Sequence, residues 1–285
     1  MKKGYILSIA SVLIMSVTPI LNKLTLKEYT PLITSFIFSI CSIIFTSLAI
    51  RKTKLTKINI RIVLISLLSA FGLCLQFYSL NYLSPATFAF IGRFYIIFTI
   101  LLSLIMLKEK LSLMDILAII LSIVGTIYIY KDDPQRGNLQ GIIYAFLYTF
   151  MFAMCGVITK KELKRTSSNT INFYNQLLSI IVIGILIVFT GQNINVNFKG
   201  VFVIALSAFA SGFVGLLLYY EGMKYLSMSK VSIIRSLSPV VVLFYSVIVF
   251  NTKITSHLLI GGFLILFSVI MMNSKDIFQK LIRRH

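Results

Sequence analysis

Ten apolar runs separated by short polar breaks make up most of this chain. They cover residues 4–22, 31–50, 61–81, 86–107 and 112–130, then 141–159, 170–190, 200–223, 229–250 and 256–273. Each run is close to the length that carries a helix across the hydrocarbon core of a bilayer. In lipid every backbone N–H and C=O must be paired internally, so runs of this kind are helices. The two-residue alternation of barrel strands is absent. Short connections make neighbouring helices antiparallel. A polar stretch, Lys131 to Gln140, falls between the fifth and sixth runs. It divides the chain into five-helix parts at 1–134 and 135–285.

Composition agrees with this picture. The chain of 285 residues is 58% hydrophobic and 12% charged, with a mean hydropathy of +0.95, outside the balance of soluble domains. The formal net charge of +19 does not indicate nucleic acid, because the basic residues sit in short clusters between apolar runs. With the N-terminus inside, inner segments hold nineteen Lys and Arg and outer segments six. The richest inner clusters are Arg51 to Arg61, Lys160 to Arg165 and the tail from Lys275 to Arg284. This asymmetry places both termini in the cytoplasm. Met1-Lys2-Lys3 before an apolar run imitates a secretory signal. No small-residue cleavage site follows, so a retained first helix is expected. Cys41, Cys74 and Cys155 lie in apolar runs and read as buried hydrophobes. They form no metal-ligand spacing with His257 or His285.

The two parts resemble each other. A shift of 143 residues lays SAFGLCLQFYSLNYLS (69–84) on GFVGLLLYYEGMKYLS (212–227). Gly72 meets Gly215, and Tyr82-Leu83-Ser84 meets Tyr225-Leu226-Ser227. The register continues to Ser103/Ser246 and Lys110/Lys253. Five helices per part is an odd number, so the second part lies upside down relative to the first. Inverted repeats of this kind recur in secondary transporters, where exchange of conformation between similar halves switches access.

At these residues the chain resembles a known family. LYYEGMKYLSMSKVSIIRSLSPVVVLFYSVIVF (218–250) is similar to the second-repeat signature of EamA-type carriers of the drug/metabolite transporter superfamily. LSPATFAFIGRFYIIFTILLSLIMLKEKLS (83–112) is similar to its first-repeat partner, including the Glu109 that closes the fourth helix. The mid-helix proline of that pattern is present as Pro239, whereas Ile96 stands at its counterpart. Asn251-Thr252 replaces the usual Gly-Glu. The resemblance implies an all-α integral membrane protein with ten transmembrane helices, two inverted repeats and a central cavity open to one side at a time.

Two arginines fall inside spans. Arg93 lies roughly 12 Å from the outer end of the fourth span, at 1.5 Å per residue, and Arg235 at similar depth in the ninth. A charge near the bilayer centre costs about 2.5–3.5 kcal/mol on insertion scales, so each needs a cavity or a partner. Guanidinium geometry suits a carboxylate or phosphate; a structural pair or snorkelling to headgroups is the other reading. Glu221, near the end of the eighth span, could carry a proton as a coupling group or pair with Arg235. Gln76, Tyr78, Tyr144, Tyr148 and Tyr219 stand at positions expected to line the cavity. Tyr144 and Tyr148 are four apart, hence on one helical face. Asn175-Gln176 reads as a helix–helix hydrogen-bonding pair.

No P-loop, nucleophile elbow or paired catalytic carboxylate is present, which speaks against an enzyme and against ATP-driven transport by this chain. No cofactor is expected. The expected function is secondary transport of a small polar metabolite such as an amino acid, in the direction of export, across a bacterial cytoplasmic membrane. A flippase for a lipid-linked or amphiphilic molecule is the alternative.

Overall fold

Helix starts and stops follow local chemistry. A computed structural model of the chain describes residues 2–50, 57–107, 113–131, 139–226, 231, 234–235 and 237–282. Most of the loop 51–61, Lys108, Glu109, Lys110, the linker 132–138, Lys230 and residues 283–285 lie outside the described residues. The helices are α1 (Lys2–Ser16), α2 (Thr18–Thr25), α3 (Pro31–Ile50), α4 (Ile60–Tyr82), α5 (Pro85–Ile91), α6 (Phe94–Leu107), α7 (Leu113–Lys131), α8 (Leu139–Glu162), α9 (Ser168–Thr190), α10 (Phe198–Ser207), α11 (Leu216–Tyr225), α12 (Ser238–Phe250) and α13 (Ser256–Ile282). A π-helical segment, Ala208–Gly215, joins α10 to α11. Asn59, Ser84, Ser167 and Asn197 cap the starts of α4, α5, α9 and α10, each side chain accepting a backbone N–H of the first turn. Gly191 (φ 60°) and Asn251 (φ 50°) take the left-handed conformation that ends α9 and α12.

The described residues contain helices and no strand. Among the described residues six apolar stretches are long enough to cross a membrane: Lys2–Thr25, Pro31–Leu48, Ile60–Tyr82, Leu139–Glu162, Ser168–Thr190 and Phe198–Tyr225. The fourth and ninth apolar runs are broken. α5 ends at Ile91 and α6 begins at Phe94; in the ninth run Val231, Ile234 and Arg235 are helical, Leu237 is a turn and α12 begins at Ser238. At both breaks the backbone tightens to i→i+3 bonds: Arg93 N–H to the Phe90 carbonyl (3.0 Å) and Leu237 N–H to the Ile234 carbonyl (3.2 Å). Pro239 explains the second break, since it cannot donate within a helix. The first has Gly92 instead.

Packing joins helices far apart in sequence, and the contacts come in matched pairs. α1 packs on α11, and α8 on α4. A Cβ on Gly4 would stand 2.8 Å from Tyr225 Cβ and 2.9 Å from Leu226 Cγ; one on Gly141 would stand 2.8 Å from Tyr82 Cβ and 2.9 Å from Leu83 Cγ. Asn59 Nδ2 donates to Glu162 (2.8 Å), and Asn197 Nδ2 to Glu28 (2.9 Å).

The lysines show the same pairing. Lys23 Nζ donates to the carbonyls of Leu80 (2.8 Å), Asn81 (2.9 Å) and Leu83 (2.9 Å), closing the end of α4. Lys160 Nζ does the same at the end of α11, with the carbonyls of Met223 and Leu226. Terminal carbonyls have no partner within their own helix, and a cation also complements the negative end of its dipole. Lys23→Met is therefore expected to destabilise the protein by about 1–3 kcal/mol, read as a lower melting temperature in detergent. Lys23→Arg is expected to retain most of the stability. An unchanged melting temperature in Lys23→Met would remove this role.

Candidate functional site

Four interruptions of regular α-helix among the described residues meet one cavity of about 230 Å³. Thr18 and Pro19 from the α1–α2 junction, Gly92 and Arg93 from the α5–α6 break, and Arg235 and Ser238 from either side of the break at Leu237 line it. So do Ser211 and Gly212 of the π segment. Non-helical backbone at membrane depth is tolerated where it borders a cavity, and broken helices mark the binding sites of many carriers.

One cation of the cavity is held by backbone carbonyls and the other lies against aromatic rings. Arg93 donates through Nη1 to the backbone carbonyl of Arg235, and through Nε to that of Ala89 (3.3 Å). The Arg235 guanidinium lies 4.4 Å from the ring centre of Tyr219 and 5.8 Å from that of Tyr95. The hydroxyls of those tyrosines are hydrogen-bonded to each other at 2.7 Å. The π faces thus hold one arginine in place without neutralising it. No Asp or Glu appears among the described lining residues. Two guanidinium groups therefore share one space with no counter-ion from the described residues, a setting that favours an anionic guest.

Neutral polar groups complete the lining. Gln76 from α4 and Gln176 from α9 face the cavity; Gln176 Nε2 also reaches Asn172 Oδ1 at 3.4 Å. Asn175 Oδ1 and Thr18 Oγ1 are buried and have no hydrogen-bond partner among the described residues. Tyr148 is stacked on Phe88 at 5.6 Å and edge-on to Phe152 at 5.8 Å, and all three rings line the cavity.

Among the residues singled out from sequence, Arg93, Arg235, Gln76, Tyr148 and Tyr219 come together at the cavity. Tyr78 and Tyr144 do not line it. Their rings pack on each other at 5.5 Å, and Tyr82 joins Tyr144 at 5.9 Å. Tyr144 shares a helical face with Tyr148, but the cavity reaches only the deeper of the two. Glu221 is held by Lys224 (2.6 Å) and Ser168 (2.8 Å) and is not among the lining residues. Tyr95, Asn175, Thr18 and Tyr220 are lining residues that sequence reasoning did not select as binding groups. Tyr95 lies two residues after Arg93, and its proximity to the charge was the available signal.

Apolar helices broken around a buried, cation-bearing cavity define a multi-pass membrane transporter. The family comparison gives the same class. The EamA-like transporter family model matches residues 2–131 and again 139–274, and the chain belongs to that family. The uncharacterized transporter YyaM of Bacillus subtilis is 25% identical over 80% of this chain and 77% of its own. An uncharacterized transporter of Clostridium kluyveri is 23% identical over 96% of this chain and 94% of its own. The human nucleotide sugar transporter SLC35D2 is 33% identical, over 50% of this chain and 44% of its own. One crystal structure superposes with a TM-score of 0.73 over 99% of both chains at 12% identity, a likeness of fold.

Proposed function

We propose that the protein is a secondary carrier that moves small polar metabolites across the bacterial cytoplasmic membrane by alternating access. Its halves, 1–134 and 135–285, would be inverted five-helix repeats with the cavity between them. The observation that carries this reading is the cavity itself, to which each half brings a helix break and one arginine. The double family match and the paired contacts of Gly4 with Gly141 and Lys23 with Lys160 support the repeat. Arg93 and Arg235 serve as anchors for a carboxylate or phosphate of the solute. Two mammalian relatives are named nucleotide sugar transporters. At about 230 Å³ the cavity is smaller than the ~300–1,000 Å³ of drug-sized sites, which favours a smaller solute here. We assign Glu221 an anchoring role through Lys224 and Ser168.

Flux in proteoliposomes tests the reading. Uptake of a radiolabelled metabolite by reconstituted protein, driven by a solute or pH gradient, is expected. Scrambling of a fluorescent lipid without solute flux would make the protein a flippase and overturn the proposal.

The membrane orientation is testable separately. With both termini in the cytoplasm, an impermeant thiol reagent outside intact cells is expected to modify Gln192→Cys and to miss Lys57→Cys. Labelling of Lys57→Cys from outside would reverse the topology.

A further inference from the structure

The lining of the cavity carries chemical information beyond its charge. Asn175 is 3% exposed, and its Oδ1, which can only accept a hydrogen bond, has no partner among the described residues. A buried acceptor left unpaired costs on the order of 1–3 kcal/mol. A carboxylate or a fully ionised phosphate group cannot satisfy it, because it brings only acceptors to an acceptor. The cations beside it reject an ammonium as the guest's dominant charge, and no carboxylate lines the cavity to receive one.

We infer that the transported solute is a small organic anion that also carries a hydroxyl or amide donor, with the anion on Arg93 and Arg235 and the donor on Asn175 Oδ1. This rests on the carrier reading above and narrows it to hydroxylated or amide-bearing carboxylates and phosphates. Thr18 Oγ1, also buried and unpartnered among the described residues, can donate or accept and adds a second polar contact. Simple cations and protonated amines are disfavoured by charge, and a bare alkyl carboxylate leaves the Asn175 acceptor unpaired. A site built to bond a donor discriminates against the analogue that lacks it, because its own buried group then goes unsatisfied.

The test uses the purified full-length protein in detergent and the dye-reported exposure of its buried cysteines Cys41, Cys74 and Cys155 on melting. The probes are two sets: lactate, propionate and lactamide; and glycerol 3-phosphate, sulfate (an oxyanion with no O–H) and glycerol. Choline serves as the cation. Lactate or glycerol 3-phosphate is expected to raise the melting temperature, its partner lacking a donor to do so less, and lactamide, glycerol and choline not at all. Arg235→Gln is expected to weaken binding of the responding anion at least tenfold. Asn175→Leu is expected to abolish the preference for the donor-bearing member while keeping the smaller response to the bare anion. Should Asn175→Leu fail to fold, Asn175→Ala gives the same reading, since it too removes the acceptor and adds no charge. Equal stabilisation by choline or lactamide, an unchanged preference in the Asn175 variants, or no response to any probe overturns the inference. The carrier reading fails separately: flux of a cation with no anion response sinks only the substrate class, whereas anion-induced stabilisation without flux of any solute sinks only transport.

Discussion

Arg93→Ala is expected to remove most transport while leaving a monodisperse protein in detergent. Arg93 sits at the α5–α6 break, lines the cavity and donates to the backbone carbonyls of Ala89 and Arg235. A hydrogen bond to a charged group contributes about 1.5–3 kcal/mol. Losing the solute's contact with this cation therefore lowers affinity by roughly 10- to 100-fold. Arg93→Lys keeps the charge but not the planar fork that reaches two acceptors at once. It is expected to raise the half-saturating solute concentration with little loss of folded protein. Normal transport by Arg93→Ala would remove the residue from the site. Failure of both variants to fold would make the Arg93–Arg235 contact a structural pair.

The second large effect concerns Gly141. Its α carbon faces Tyr82 and Leu83, and an added Cβ would lie 2.8 Å from the Cβ of Tyr82. A Cβ is rooted in the backbone, so rotamer changes cannot relieve the contact, and α4 and α8 must separate. Membrane helices approach this closely only where small residues allow it. Gly141→Leu is expected to cost at least the ~1–3 kcal/mol typical of overpacking, and to lower both melting temperature and folded yield. Gly4→Leu meets the equivalent Tyr225 and Leu226 and is expected to behave alike. If Gly141→Leu proved as stable as the parent, the close α4–α8 contact would be wrong.

Much of the helical framework was legible because hydropathy reports directly on what lies between water and lipid. The apolar runs, the polar linker and the repeat at Tyr82/Tyr225 all emerge from residue order alone. Arg93 and Arg235 stood out for the same reason: a charge inside an apolar run needs an explanation. The helix breaks were half legible. Pro239 announces one, whereas the break at Gly92 and Arg93 carries no proline.

Other features depend on three-dimensional neighbours. Lys23 reads as an outer-loop charge, yet its ammonium reaches back to three carbonyls of α4. Tyr78 and Tyr144 are the same residue type as the lining tyrosines, but their rings pack on each other at 5.5 Å and do not line the cavity. An ion pair between Glu221 and Arg235 was open from sequence. In the structure Lys224, one turn along the same helix, holds the carboxylate at 2.6 Å, and tyrosine rings hold the arginine. The free acceptor of Asn175 could not be inferred, because whether a buried amide is satisfied depends on every helix around it.

The central claim, that solute passes through the cavity between the halves, is tested most directly at Gln76. This residue lines the cavity and is half-buried. With Cys41, Cys74 and Cys155 replaced, Gln76→Cys in proteoliposomes of known orientation is treated with an impermeant thiol reagent from each side in turn. The account predicts modification from both sides, slowed by saturating transported solute. Modification from one side only under every gradient, or none from either, would contradict it.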